Sequence, residues 1–431
     1  MRAALHNLGC KVNSYETQAM TELLKEAGYE IVDFEKEADV YVINTCSVTA
    51  MADKKSRQMI HRVRRLNPDA CVVAAGCFTQ TADLSTVYEC GADIVLGNNE
   101  KTKLVPGLEQ FFKDRNGSAQ IVDVNDKDIS YESMRITADD NHTRAFIKVQ
   151  DGCNMYCSYC IIPYARGRIR SREIADVVEE VRGLAKASYK EVVITGIHLT
   201  SYGHGTNESL ADLILAVNEI DGIERIRLGS LEPRVITREF LDKVKKADKL
   251  CPHFHLSLQS GSVSVLERMN RHYSPAEYKA GCDLLREYFD NPAITTDVIV
   301  GFPGETEGEF AETLEFVKQI AFFEMHVFMY SRRAGTKADK MPNQVKEEVK
   351  KDRSKRLIAL ADEMSDEYRK TWLGKELTVL VEEEIDIDDE KFMIGHTREY
   401  VRVAVPTGAN VCANEIVKVN VNRINPEGIL I

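Results

Sequence analysis

Between residues 144 and 331, six strand-like runs alternate with helical stretches, and no other feature restricts the fold of this chain as strongly. The runs are AFIKVQ, EVVITG, RIRLGS, FHLSLQ, TTDVIVG and HVFMYS. Amphipathic intervals such as 174–187 (IADVVEEVRGLAKA) and 307–320 separate them. Parallel strands need crossovers of this length, usually helices, so the pattern implies a parallel sheet with helices packed against it. Six repeats predict a (β/α)6 barrel, short of the full eight. In such folds the chemistry sits at the C-terminal ends of the strands. Those ends read DGCN, TGIH, GSLEP, LQSGS, GFPGE and YSRRAG, rich in glycine, serine and polar residues as a cofactor cup requires.

The flanks divide the chain further. Residues 1–113 also alternate, with strands expected near 2–8, 40–44, 71–75 and 93–96 and helices near 14–27, 51–66 and 101–113. The first helix is expected to start at Ser14, with Glu16 and Thr17 in its first turn. This reads as an open parallel α/β sheet. Residues 114–142 are polar and read as a linker; 143–371 form the barrel and a charged helix over 344–371. In 372–431 the runs ELTVLVEEE, FMIGHTREYVRVAV and EIVKVNVN alternate as strands do, predicting a small antiparallel β-barrel. No run of eighteen apolar residues suggests a membrane span, and MRAALHNLGC turns polar too quickly for a signal peptide. A cytoplasmic location is the expectation.

The chain has 11 cysteines, an odd number, which favours thiol or metal chemistry over a disulfide framework. Cys153, Cys157 and Cys160 have the spacing C-x3-C-x2-C just past the first barrel strand. Three thiolates hold three corners of an iron–sulfur cluster and leave one iron open to a small molecule. A zinc site, which wants four ligands, and three unrelated thiols are the competing readings. Elsewhere NLGC, VYVINTC and VVAAGC end at Cys10, Cys46 and Cys77. Ligands of an open α/β sheet sit past the carboxyl ends of its strands. Spacing alone leaves open whether these three share a site. Cys71, Cys90, Cys251, Cys282 and Cys412 read as small hydrophobes. A net charge of −12 disfavours nucleic-acid binding through overall charge. It leaves two local basic candidates: Lys54, Lys55, Arg57, His61, Arg62, Arg64 and Arg65, and the alternating Arg166, Arg168, Arg170 and Arg172. The ordinary reading of either is a solvated face.

C-x3-C-x2-C at the head of a (β/α) barrel resembles the radical S-adenosylmethionine superfamily. GCNMYCSYCIIPYARGRIRSR, TGIHLTSYG, LGSLEPR, HLSLQSGS, ERMNRHY, TTDVIVGFPGETEGEF and FMYSRRAGTKA resemble, more narrowly, the methylthiotransferase family over essentially the whole chain. That resemblance implies two 4Fe–4S clusters, one on Cys153, Cys157 and Cys160 and an auxiliary one on Cys10, Cys46 and Cys77. It implies a C-terminal TRAM domain that binds RNA. LGCKVNSYET is similar to the enzymes acting on threonylcarbamoyladenosine in tRNA, through Lys11 and Val12. The isopentenyladenosine enzymes look more like YGCQMN, and those acting on ribosomal protein S12 more like LGCPKN.

The implied activity is conversion of threonylcarbamoyladenosine, at position 37 beside the anticodon, to its 2-methylthio derivative. Two S-adenosylmethionines would be used, one methylating a sulfur and one yielding the radical that takes hydrogen from carbon 2 of the adenine. The expected partners are the tRNA anticodon loop and an electron donor of flavodoxin or ferredoxin type, and no membrane. Such a reaction needs the N-terminal sheet docked over the barrel mouth, with the base entering unstacked. Expected cofactor contacts are Tyr159, Ser230, Glu232, Gln259, Ser260, Arg271 and Gly301. Expected substrate or RNA contacts are Lys11, Asn13, Arg57, Arg166, Arg168, Arg398 and Tyr400. Acidic runs at 382–384 and 388–390 restrict the RNA-facing part of 372–431 to the neighbourhood of His396, Arg398, Tyr400 and Arg402. The alternatives are the same chemistry on isopentenyladenosine or on an S12 aspartate, and a non-catalytic iron–sulfur RNA-binding protein.

Overall fold

The computed structural model describes residues 1–138, 143–406 and 411–431. Its first unit is a six-stranded parallel sheet of β1 (Arg2–Asn7), β2 (Glu30–Ile31), β3 (Val40–Thr45), β4 (Cys71–Gly76), β5 (Ile94–Leu96) and β6 (Ser118–Gln120), in the order β2-β1-β3-β4-β5-β6. β3 and β4 are buried along their whole length, so their sequences run apolar without alternation. On one face Val40, Val42, Val73 and Ala75 pack against Met20 and Leu24 of α1 (Lys11–Glu26) and against Leu108 and Phe111. On the other, Tyr41, Ile43, Val72 and Ala74 pack against Ile60 and Val63 of α2 (Ala50–Leu66). α1 starts three residues before the expected Ser14. Cys10 occupies its N-cap in extended conformation, without a side-chain cap. β2 and β6, edge strands of two and three residues, are too short to leave a periodic signal.

The barrel comprises β7 (Ala145–Asp151), β8 (Arg170–Ser171), β9 (Glu191–Gly196), β10 (Arg225–Leu228), β11 (His253–His255), β12 (Ala293–Val300) and β13 (Glu324–Met329). Six strands run parallel in the order 7-9-10-11-12-13, and the short β8 pairs antiparallel with β7. Bridges at Ile226–Leu250 and Leu231–Leu256 join β10 to β11, so two sheets make one open barrel. Alternation along the strands separates two environments. Ile226, Leu228, Phe254 and Val298 join the apolar core shared with the outer helices. On the opposite face of β9 and β10, Arg227 donates from Nε to Glu191 Oε1 at 2.7 Å.

The expected linker is a strap. Residues 118–120 add β6 to the N-terminal sheet, and Tyr131 donates its hydroxyl to the Lys148 carbonyl at 2.7 Å. Met134 and Ile136 enter the barrel core. A few buried apolar residues among many polar ones hold the segment, which an average over composition hides. Residues 139–142 lie outside the described residues. The charged helix spans Glu347–Lys370. Beyond it, β14 (Lys375–Ile387), β15 (Glu390–His396), β16 (Arg402–Pro406) and β17 (Ile416–Val421) form an antiparallel sheet in the order β16-β15-β14-β17. Leu430 bridges to both Val403 and Ile424, drawing the two ends of this sheet together as in a small barrel. Among the described residues no helix is long and apolar enough to cross a membrane.

Candidate functional site: two sets of three cysteines

β1, β3 and β4 are neighbours in register, with Asn7 beside Asn44 and Thr45 beside Gly76. Their carboxyl ends therefore align. Cys10 caps α1, Cys46 follows β3, and Cys77 opens the short α3 (Cys77–Thr81) that follows β4. Gly9 has φ +113°, and a Cβ there would stand 2.9 Å from Cys46 Sγ, so only glycine admits both cysteines. Asn13 stitches the tips together, donating from Nδ2 to the carbonyls of Leu8 at 2.7 Å and Thr45 at 2.9 Å. Asn98 places its Nδ2 3.5 Å from Cys77 Sγ. Burial pushes the Cys46 thiol up to about 11, and the charge of the neighbouring Cys77 acts in the same direction. Thiols held this way stay protonated until a metal displaces the proton.

The second set follows β7. The Cys153 amide donates to the Gly167 carbonyl at 2.9 Å, and the Ser158 amide to the Met269 carbonyl at 2.9 Å. Gly152 has φ +73°, and a Cβ there would lie 1.8 Å from the Arg168 carbonyl oxygen. Cys153, Cys157 and Cys160 line one cavity together with Tyr159, His198, Ser230, Glu232, Ser257, Gln259 and Arg271. Burial pushes Cys153 up to about 11 and Cys160 to about 12. Arg271 sets Nη1 3.3 Å from Cys157 Sγ, and its guanidinium lies over the Tyr273 ring at 4.8 Å. Burial opposes ionisation of Glu232. Hydrogen bonds from His198 (3.1 Å) and Arg234 (2.6 Å) outweigh it and hold the carboxyl at about 2.

Five of the seven expected cofactor contacts thus line the cavity, and two do not. Ser260 is fully buried and shares a hydrogen bond with Thr313, while the neighbouring Gln259 lines the cavity. The space where a Gly301 side chain would point is filled by Lys350. His198 and Ser257 were not singled out by sequence reasoning; the signal for His198 was its place in TGIH, at a strand end.

Among the described residues, no three His, Cys, Asp or Glu side chains converge as ligands of a single metal ion. Three thiols around one cavity, with a fourth arm missing, suit a cluster in which each cysteine takes a different iron. They do not suit structural zinc, which wants four ligands on one ion.

The expected RNA contacts divide sharply. Lys54, Lys55, His61 and Arg65 are exposed on α2 and Arg57 is half-buried, whereas Arg62 pairs with Glu35 and Arg64 with Asp93. Arg168 is exposed, with Nε on the Asn125 carbonyl at 2.7 Å. Arg166, Arg170 and Arg172 are buried and ion-paired inside the protein, and Asn13 is buried as well. These cannot meet RNA; α1 and Val124 of the strap cover the arginines, and no local pattern announces that. Arg398 donates to the carbonyls of Asp248 (2.5 Å) and Leu250 (2.8 Å) on the barrel. Tyr400 stacks with His396 at 4.4 Å and His253 at 4.9 Å, with Arg144 and Arg227 each 4.9 Å from its ring centre. Arg398, Tyr400 and His396 therefore dock the C-terminal sheet on the barrel, and Arg402 remains exposed. Lys11 is exposed and makes no ion pair or hydrogen bond through its side chain among the described residues.

A profile of the Radical SAM superfamily matches residues 147–317, and one described as Uncharacterized protein family UPF0004 matches residues 2–97. The chain is 43% identical over 424 residues to the threonylcarbamoyladenosine tRNA methylthiotransferase MtaB of Bacillus subtilis, covering 97% of this chain and 93% of that one. It is 40% identical to the MtaB of Aquifex aeolicus, over 91% of this chain and 96% of that one. It is 36% identical to the tRNA-2-methylthio-N(6)-dimethylallyladenosine synthase of Clostridium tetani, over 89% and 86%. Among solved structures, the radical S-adenosylmethionine methyltransferase TsrM from Kitasatospora setae shares the fold at a TM-score of 0.59 and 17% identity, over 79% of this chain and 75% of that one. Kinship at this level runs from the strand-tip cysteines to the C-terminal sheet, and the chain belongs to the radical S-adenosylmethionine methylthiotransferase family.

Proposed function

We propose that this enzyme converts threonylcarbamoyladenosine at position 37 of tRNA, beside the anticodon, to its 2-methylthio derivative. One observation carries the reading: two separate sets of three cysteines, each one ligand short of a closed site, on domains packed together. Cys153, Cys157 and Cys160 would hold the cluster that binds S-adenosylmethionine, and Cys10, Cys46 and Cys77 the auxiliary one. Bound there, such clusters would supply an electron for reductive cleavage of the S-adenosylmethionine C–S bond, the source of a carbon radical able to take hydrogen from an unactivated C–H bond, and a sulfur for transfer. The chain's own residues bind and orient. The ionised Glu232 accepts hydrogen bonds from cofactor hydroxyl or ammonium groups, and Arg271 holds a fixed positive charge beside Cys157.

Lys11 favours a substrate that carries a carboxylate. It directly follows Cys10, stays accessible and has no ion-pair partner among the described residues. A threonylcarbamoyl group brings an anion to it; an isopentenyl group brings none. Lys54, Lys55, Arg57 and Arg65 on α2, with Arg168, form the basic surface for the RNA backbone. The exposed rings of Tyr156 and Tyr164, with centres 6.2 Å apart, offer a stacking surface for splayed bases. A flavodoxin or ferredoxin supplies electrons, and the enzyme works in the cytoplasm.

Mass spectrometry of digested tRNA tests this in cells lacking the gene. Methylthiolated threonylcarbamoyladenosine disappears, returns with the wild-type gene, and returns weakly with Lys11→Ala. Its persistence, with loss instead of the methylthiolated isopentenyladenosine or of the modified S12 aspartate, would overturn the assignment.

A further inference from the structure

Arg166 lies six residues past Cys160, on the barrel, yet its side chain serves the N-terminal domain. Nη2 donates to Asn13 Oδ1 at 2.7 Å and Glu16 Oε2 at 2.9 Å; Nη1 donates to Glu16 Oε1 at 2.8 Å and to both Asp151 oxygens at 3.1 Å. The guanidinium is fully buried, and its Nε has no hydrogen-bond partner. Asn13 is the residue that ties the tips carrying Cys10 and Cys46. The flanking residues extend the link. The Ala165 carbonyl accepts from Asn98 Nδ2 at 2.7 Å, the same nitrogen that faces Cys77 Sγ, and the Gly167 carbonyl accepts from the Cys153 amide. Three consecutive residues therefore touch the surroundings of both cysteine sets.

The charges around Arg166 do not balance. Among the described residues, Glu16 and Asp151 are the only carboxylates within ion-pair distance of Lys101, Lys148, Arg166 and Arg170, and all six side chains are buried. A buried excess of positive charge is costly without an anion close by. Arg166 is near enough to Cys10 and Cys46 for its charge to act on both thiols, and Cys77 acts on Arg166 in turn. Three metal-bound thiolates would supply the missing negative charge.

We propose that Arg166 is a positioning residue for the auxiliary site, holding its cysteine-bearing tips against the radical segment and acting as the buried cation for the group that Cys10, Cys46 and Cys77 bind. This rests on the two-cluster reading above.

The test uses the full chain with Cys153, Cys157 and Cys160 changed to alanine, so that only the N-terminal set takes up iron. It is reconstituted anaerobically with iron and sulfide, and the reduction midpoint is followed by electron paramagnetic resonance. Arg166→Lys, which keeps the charge, leaves the midpoint near that of the parent. Arg166→Met lowers it, reducing the reduced-to-oxidised ratio at fixed potential at least tenfold, or 59 mV for one electron. Glu16→Gln, which removes a negative charge from the same cluster of side chains, moves the midpoint the opposite way and serves if the methionine variant does not fold. A midpoint unmoved by Arg166→Met or Glu16→Gln leaves Arg166 a purely structural ion pair and overturns the proposal. A parent chain that takes up no iron overturns the two-cluster reading instead.

Discussion

Replacing Glu16 by glutamine keeps the shape and removes one charge from the junction between α1 and the barrel. Glu16 is fully buried, with Lys148 at 2.6 Å, Arg166 at 2.8 Å and Lys101 at 3.2 Å. Breaking a buried pair while its partners stay charged costs about 3–5 kcal/mol. The amide retains part of the hydrogen bonding, so the lower end, about 3 kcal/mol, is expected. Every 1.4 kcal/mol is a factor of ten, so opening of this junction becomes more than about a hundredfold easier. Hydrogen exchange reads such local opening directly. On the cluster-free chain, the slow amides of α1 and β7 should exchange at least about a hundredfold faster, while those of β12 stay as they were. Acceleration under about tenfold would refute the argument that Glu16 is the anion holding this junction.

Adding Lys101→Met removes a surplus cation and should restore about 1 kcal/mol or more, a coupling measurable as a double-mutant cycle. Acid provides a third readout. Burial opposes ionisation of Glu16, but Arg166, Lys101 and Lys148 outweigh it and hold its carboxyl well below the ordinary range. Its contribution is therefore complete above the unfolded value of about 4.3 and is lost as pH falls through the lower folded value. The glutamine variant should lack that acid limb.

Other expectations follow from single sites. Gly152→Ala places a methyl 1.8 Å from a backbone oxygen at positive φ, costing more than about 1 kcal/mol. Iron after reconstitution should fall from about eight per chain to about four, with the N-terminal set still loaded. Arg271→Met removes the cation 3.3 Å from Cys157 Sγ and should weaken S-adenosylmethionine binding about 10–100-fold by calorimetry, while Arg271→Lys recovers part. Tyr400→Ala loses two ring contacts and two cation contacts, about 2 kcal/mol together, and should expose residues 371–375 to limited proteolysis without changing iron content.

Much of the fold was legible because buried parallel strands leave continuous apolar runs, and VYVINT and CVVAAG read as strands for that reason. The C-x3-C-x2-C set was legible because all its ligands lie on one short segment. Five cofactor contacts were legible because strand ends in a barrel point at one cavity. The strap at 114–138 was not, since its few buried side chains are diluted by polar neighbours. The arginines after Cys160 misled for a related reason: alternating charge on a short loop has the same appearance whether solvent or another domain covers it.

By itself, then, the sequence left open whether Cys10, Cys46 and Cys77 share a site, but determined the order of the principal strands and helices, the three units and the C-x3-C-x2-C set. These follow from local periodicity and from residue type. Only the tertiary structure decided which charges reach solvent. Docking α1 against the barrel buried Arg166 and left Lys11 accessible; docking the C-terminal sheet consumed Arg398 and Tyr400. A side chain's exposure depends on what packs over it from distant parts of the chain, and no run of neighbours along the sequence records that.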